Sequence, residues 1–72
     1  MEYEFTVLIT QDEDGVYIAT VPALQGCHTA GDSEEEAMEL IKEAIQLCLE
    51  ARLALGEPIP HEVASHKIRV PA

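Results

Sequence analysis

Apolar and polar positions alternate from Tyr3 to Thr10, with Tyr3, Phe5, Val7 and Ile9 set against Glu4, Thr6, Leu8 and Thr10. Successive side chains leave an extended chain on opposite faces, so a period of two predicts a first strand with one well-buried face. Gln11 to Gly15 is polar and holds an Asp14-Gly15 pair, the chemistry of a hairpin turn that needs a positive φ. Val16 to Val21 returns as a second strand rich in β-branched residues. Pro22 lacks the amide that a ladder needs, so this strand ends there and the chain turns through Ala23, Leu24 and Gln25. Cys27 to Ala30, between Gly26 and Gly31, reads as a short extended segment packed close to another element.

The pattern then changes to a helical one. Asp32 and Ser33 can each cap a helix, and each has a glutamate three residues on, Glu35 and Glu36, as in a capping box. Glu34, Glu35 and Glu36 also sit favourably at the positive end of the helix dipole. The helical run continues to Leu55, where Gly56 supplies a C-terminal cap and Pro58 blocks continuation. Glu57 to Ser65, with Pro58 and Pro60, is expected to be an ordered loop. His66 to Val70 alternates again, with Ile68 and Val70 opposite Lys67 and Arg69, and predicts a last edge strand. The expected fold class is α+β, with element order β-β-β-α-β in a single domain over residues 1–72.

At about 100° per residue, Ala37, Leu40, Ile41, Ala44, Leu47, Cys48, Ala51 and Leu55 share one helix face that a sheet can cover. Met38, Ile45, Leu49 and Leu53 widen the apolar arc to about 220° or more, leaving Glu39, Lys42, Glu43, Gln46 and Glu50 as the polar remainder. A small sheet does not need so wide an arc. The extra stripe is therefore read as a self-association or partner surface, with a wider internal core as the alternative.

Composition supports the need for a partner. The chain has 72 residues, 47% of them apolar, with no Trp and one Phe, and a domain near this size buries only about 60% of the surface its unfolded chain exposes. Fourteen Asp and Glu against four Lys and Arg give a formal charge of −10, which repels nucleic acid and attracts a basic partner. Met1 leads directly into acidic residues with no basic or long apolar run, so a cytoplasmic location is expected by default.

Chemistry has few footholds. Asp12, Glu13 and Asp14 lie at a hairpin tip and are read as a solvated turn rather than a metal site. Cys27 and His28 are adjacent on a strand, so they point to opposite faces and form no nucleophile pair. His61 and His66 have no partner at a motif spacing. Cys27 and Cys48 read as two thiols rather than metal ligands; the sequence leaves a disulfide between them open. Gly26 and Gly31 lack the Lys and hydroxyl residues of a phosphate loop, and Lys42, Arg52, Lys67 and Arg69 are too few for a nucleic-acid groove. Lys67 and Arg69 read as protection of an edge strand. No catalytic, metal or cofactor-binding residue is assigned.

The segment GVYIATVPALQGCHTAGDS followed by EEEAMELIKEAIQLCLE resembles the N-terminal domain of HicB antitoxins, the neutralising half of HicA/HicB toxin–antitoxin pairs. An aromatic-containing strand before Val21-Pro22, the Gly26-to-Ser33 turn and the acidic start of an Ala- and Leu-rich helix carry the likeness, over about Tyr3 to Pro60. The resemblance implies a partial ribonuclease H-like fold without nuclease activity, and a small, basic, RNA-cleaving HicA-like toxin as partner. Acidic surface would attract such a toxin and compete with RNA. Many HicB proteins carry a further DNA-binding module, whereas this chain stops after its expected last strand, so neither that module nor DNA binding is expected here. The reading is a noncatalytic antitoxin module that forms homo-oligomers, dimer or tetramer. An orphan homo-oligomeric domain with another ligand or a nucleic-acid-related role is the alternative. Met38, Ile45, Leu49, Leu53, Leu24 and His28 are the candidate oligomer or partner surface.

Overall fold

A computed structural model describes residues 3–71. The Asp-Gly signal does form a hairpin: β1 (Leu8–Gln11) pairs antiparallel with β2 (Tyr17–Thr20), Leu8 facing Thr20 and Gln11 facing Tyr17. Asp12 organises the turn between them. Its Oδ1 accepts the amides of Asp14 and Val16, each at 2.9 Å, and its carbonyl accepts that of Gly15, which has φ +85°. A side-chain oxygen bonded two residues along its own backbone is the reason Asp favours such tips.

After β2 the chain makes two consecutive tight turns. The Leu24 amide donates to the Val21 carbonyl and the Cys27 amide to the Leu24 carbonyl, both at 3.1 Å, while Val21 donates to Cys27 at 3.0 Å. This detour delivers β3 (His28–Gly31) antiparallel to β2, giving a three-stranded sheet in the order β1-β2-β3. It also turns Val21, Leu24 and Cys27 inward, so all three are buried.

Helix α1 (Glu34–Leu55) begins at Ser33, which resolves the two possible caps: the Ser33 Oγ accepts the Glu36 amide at 3.1 Å, and the Glu36 carboxylate takes the Asp32 amide at 3.3 Å. At its other end Gly56, with φ +72°, donates to the Leu53 carbonyl and Glu57 to that of Arg52, a closure that satisfies two of the last carbonyls. The helix packs on β3 and β2. Gly31 makes the approach possible, since a Cβ there would lie 2.8 Å from the Ala37 nitrogen. The Thr29 hydroxyl fastens the same contact by donating to the Ala37 carbonyl at 3.0 Å.

Ala19, Val21, Leu24, Cys27, Ala37 and Ile41 form the buried core, and Phe5, Val7, Ile9, Tyr17, Met38, Ala44, Ile45 and Cys48 pack against it. The α+β architecture, a long helix on one face of an antiparallel sheet, is as expected from the sequence.

Two expectations are corrected. Tyr3 to Val7 lies outside the ladder, because beyond Thr20 the opposing strand has already turned at Val21 and Pro22 and offers no partner. His66 to Val70 is not a strand: Ile68 and Val70 are 83% and 74% exposed, and the segment has no ladder partner. Its alternation fits a strand, but pairing needs a neighbour, and the hydrogen bonds to this part of the chain are made upstream, between Glu62 and the segment before β1. There the Glu62 carboxylate accepts both the amide and the hydroxyl of Thr6.

Candidate partner-binding surface

Helix α1 is about 33 Å long at 1.5 Å per residue, whereas strands of four residues span about 13 Å. The sheet therefore covers only part of it, and the uncovered part carries the candidate surface. Toward the sheet the helix presents Ala37, Met38, Ile41, Ala44, Ile45 and Cys48. Leu40 and Leu47, one heptad apart, emerge beside that stripe at 39% and 66% exposure. Glu39, Glu43, Gln46 and Glu50 are exposed along the same side, and Glu43, Gln46, Leu47 and Glu50 line a shallow cleft. Leu53 and Leu55 are exposed where the helix has run past the sheet.

The sequence-derived candidates separate in space. Leu24 is 1% exposed and belongs to the core, which corrects its placement on a surface: the turn that carries it folds inward under two backbone hydrogen bonds. Met38 and Ile45 are half-buried and pack against the core. They exchange places with Leu40 and Leu47, expected on the sheet-facing side, because the sheet meets the helix around Ile41, about a sixth of a turn from the centre of the face expected to be covered. Leu49 is half-buried, while Leu53 and His28 are exposed. The surface that sequence reasoning missed is thus Leu40 with Leu47; its signal was present in the interleaved glutamates, which mark the wet side of the helix.

Polar side chains elsewhere are committed to structure. Cys27 is buried and His28 exposed, on opposite sheet faces. Burial and the neighbouring Cys48 push the Cys27 thiol up from its ordinary value, which keeps it protonated, and both cysteines are free thiols. The Thr6 hydroxyl and amide hold the Glu62 carboxyl below the usual range. Among the described residues no three His, Cys, Asp or Glu side chains gather as a metal site, and no helix is long and apolar enough to cross a membrane.

What this arrangement offers is recognition: carboxylates around exposed leucines on one helix face, on a chain of net charge −10. Comparison with known proteins points the same way. Residues 5–69 match the family model described as HicB-like antitoxin of bacterial toxin–antitoxin system. A UPF0150 protein of Thermoplasma acidophilum is 48% identical over 61 residues, covering 85% of this chain and 88% of that one. One from Synechocystis sp. is 47% identical over 60 residues, 83% of this chain and 76% of the relative. A second Synechocystis protein of that name is 38% identical over 72 residues, 99% of this chain and the whole of the relative. With the family pattern running from Phe5 to Arg69, the chain belongs to the HicB-like antitoxins of bacterial toxin–antitoxin systems.

Proposed function

We propose that this chain is a noncatalytic antitoxin module that acts in the cytoplasm by binding and neutralising a small basic HicA-like ribonuclease. The observation that carries the reading is the exposed side of α1, where Glu39, Glu43 and Glu50 surround Leu40 and Leu47. Carboxylates there steer a basic protein toward the face and occupy the cationic surface that RNA would otherwise use. Desolvated leucines then slow its departure, since affinity among related complexes is set mostly by the off-rate. Glu34, Glu35 and Glu36 at the helix start extend the same field. With four Lys and Arg in the chain, we assign it no DNA contact.

The test is reconstitution. The reading expects a small basic protein to be encoded beside this chain; that protein is purified and its RNA cleavage measured with increasing amounts of the antitoxin. Wild type is expected to abolish cleavage near equimolar ratio. The double reversal Glu43→Lys/Glu50→Lys is expected to weaken inhibition at least about tenfold and to remove most of its salt dependence. Inhibition indifferent to both charges would place the toxin elsewhere, and cleavage unaffected by wild type would overturn the reading.

A further inference from the structure

The chain has two cysteines, and the fold turns both into the seam between sheet and helix. Cys27, directly before β3, is buried in the core on the sheet face opposite His28. Cys48 stands on the helix stripe that packs against that core and is half-buried. Chain geometry brings them to one level. β3 reverses into α1 through Asp32 and Ser33, so that Gly31 lies against Ala37. Four strand residues back from Gly31, about 13 Å, is Cys27. The same length along the helix runs from Ala37 to about Gln46, and the sheet-facing positions on either side of it are Ile45 and Cys48. A helical Cβ leans toward the N-terminus, which tips the Cys48 sulfur back toward that level. The two sulfurs also feel each other: after burial itself, Cys48 is what raises the Cys27 pKa.

We propose that Cys48 and Cys27 form a peroxide-oxidised pair, in which Cys48 meets a hydroperoxide and Cys27 closes the product into an intramolecular disulfide. Exposure assigns the roles, since Cys48 is partly open to solvent and Cys27 is not. The Cys48 thiolate attacks the terminal oxygen of the hydroperoxide and the O–O bond breaks. The departing alkoxide takes up the thiol's proton, and the sulfur, oxidised by two electrons, becomes a sulfenic acid. The Cys27 sulfur then attacks that sulfur; the S–S bond forms, the S–O bond breaks, and the leaving hydroxide takes the Cys27 proton as water. In sum, two thiols and one hydroperoxide give one disulfide, one alcohol and one water, or two waters when the oxidant is hydrogen peroxide. Burial that keeps Cys27 protonated also protects it from direct oxidation, so it is preserved for the second step. A disulfide needs Cα atoms within about 4.4–6.8 Å, and the small residues Ala19, Gly31, Ala37 and Ala44 let helix and sheet lie close along this seam. The bond ties the residue before β3 to α1 and closes a loop that contains the strand, the helix cap and the first part of the helix. With so small a buried core, that closure stabilises the fold by restricting the unfolded chain. The exposed side of α1 is untouched, so the inference stands independently of the toxin assigned to it.

The full chain at micromolar concentration is treated with a few equivalents of hydrogen peroxide and followed by intact mass and thiol alkylation. Wild type is expected to lose about 2 Da per chain together with both alkylatable thiols, and to regain them in dithiothreitol. Peptide mapping is expected to place the bond between Cys27 and Cys48 of the same chain. The oxidised form is expected to unfold about 10 °C or more above the reduced one. Cys27→Ala is expected to stop at the Cys48 sulfenic acid, about 16 Da heavier and trapped by dimedone. Cys48→Ser is expected to lose its remaining thiol at least about tenfold more slowly than wild type. Should Cys27→Ala fail to fold, the wild-type mass and mapping decide alone. Accumulation of sulfinic acid in place of the disulfide overturns the proposal. So does a bond between two chains as the main product, or thiol loss in Cys48→Ser as fast as in wild type.

Discussion

Gly31 is where the helix and the sheet come closest. A methyl group at this position would lie 2.8 Å from the Ala37 nitrogen and 3.0 Å from the Glu36 side chain. Backbone cannot yield as a side-chain tip does, so Gly31→Ala is expected to push α1 off β3 and cost about 1–3 kcal/mol, seen as a lower urea midpoint at unchanged m-value. The same substitution at Gly26, where a Cβ meets nothing within 4 Å but φ is +80°, tests backbone strain alone. At this scale the sequence was only partly legible. The two glycines flanking Cys27 to Ala30 announced a close approach, and Gly31 makes one. Leu24 was misplaced because its burial follows from turns in which every third residue, Val21, Leu24 and Cys27, faces inward. That period belongs to neither strand nor helix, so a search for those two repeats passes over it.

Elements with local chemistry were readable almost to the residue. The helix runs from Glu34 to Leu55 because its capping serine, acidic first turn and terminal glycine all lie within a few residues of the ends they fix. Ser33→Ala removes the acceptor of the Glu36 amide and is expected to cost about 1 kcal/mol, measured by thermal unfolding; Ser33→Asp should retain most of the stability. Strand ends were less legible, since they depend on where a neighbour stops. Tyr3 to Val7 has strand periodicity but no partner, and Ile68 with Val70 likewise. The rotation of the helix about its axis was hidden for the same reason. An apolar arc of more than half a turn permits several orientations, and only packing by Ala37, Ile41 and the surrounding strands selects one.

For the molecule as a whole, a Cα radius of gyration of 13.8 Å and extents of 42 by 28 by 18 Å compare with about 11 Å expected for a compact chain of this length. The excess reflects an overhanging helix and a tail held loosely at the β1 edge. One carboxylate fastens that tail, and its pKa is depressed chiefly by the Thr6 hydroxyl and then by the Thr6 amide. A lowered folded-state value means that the contact is fully present above the ordinary glutamate pKa, near 4.3, and is lost as pH falls through the depressed value. The Thr6 amide resonance is expected to titrate with a midpoint below 4.3, and Glu62→Gln should abolish that titration; a midpoint at or above the ordinary value would show the tail unattached. The Thr6–Glu62 contact also lays the segment before β1 beside the one after α1, with Tyr3 to Phe5 lying against Pro60 to Ser65. A short linker from Ser65 to Tyr3, with new ends opened in the Asp12 to Val16 turn, should therefore yield a circular permutant of the same topology.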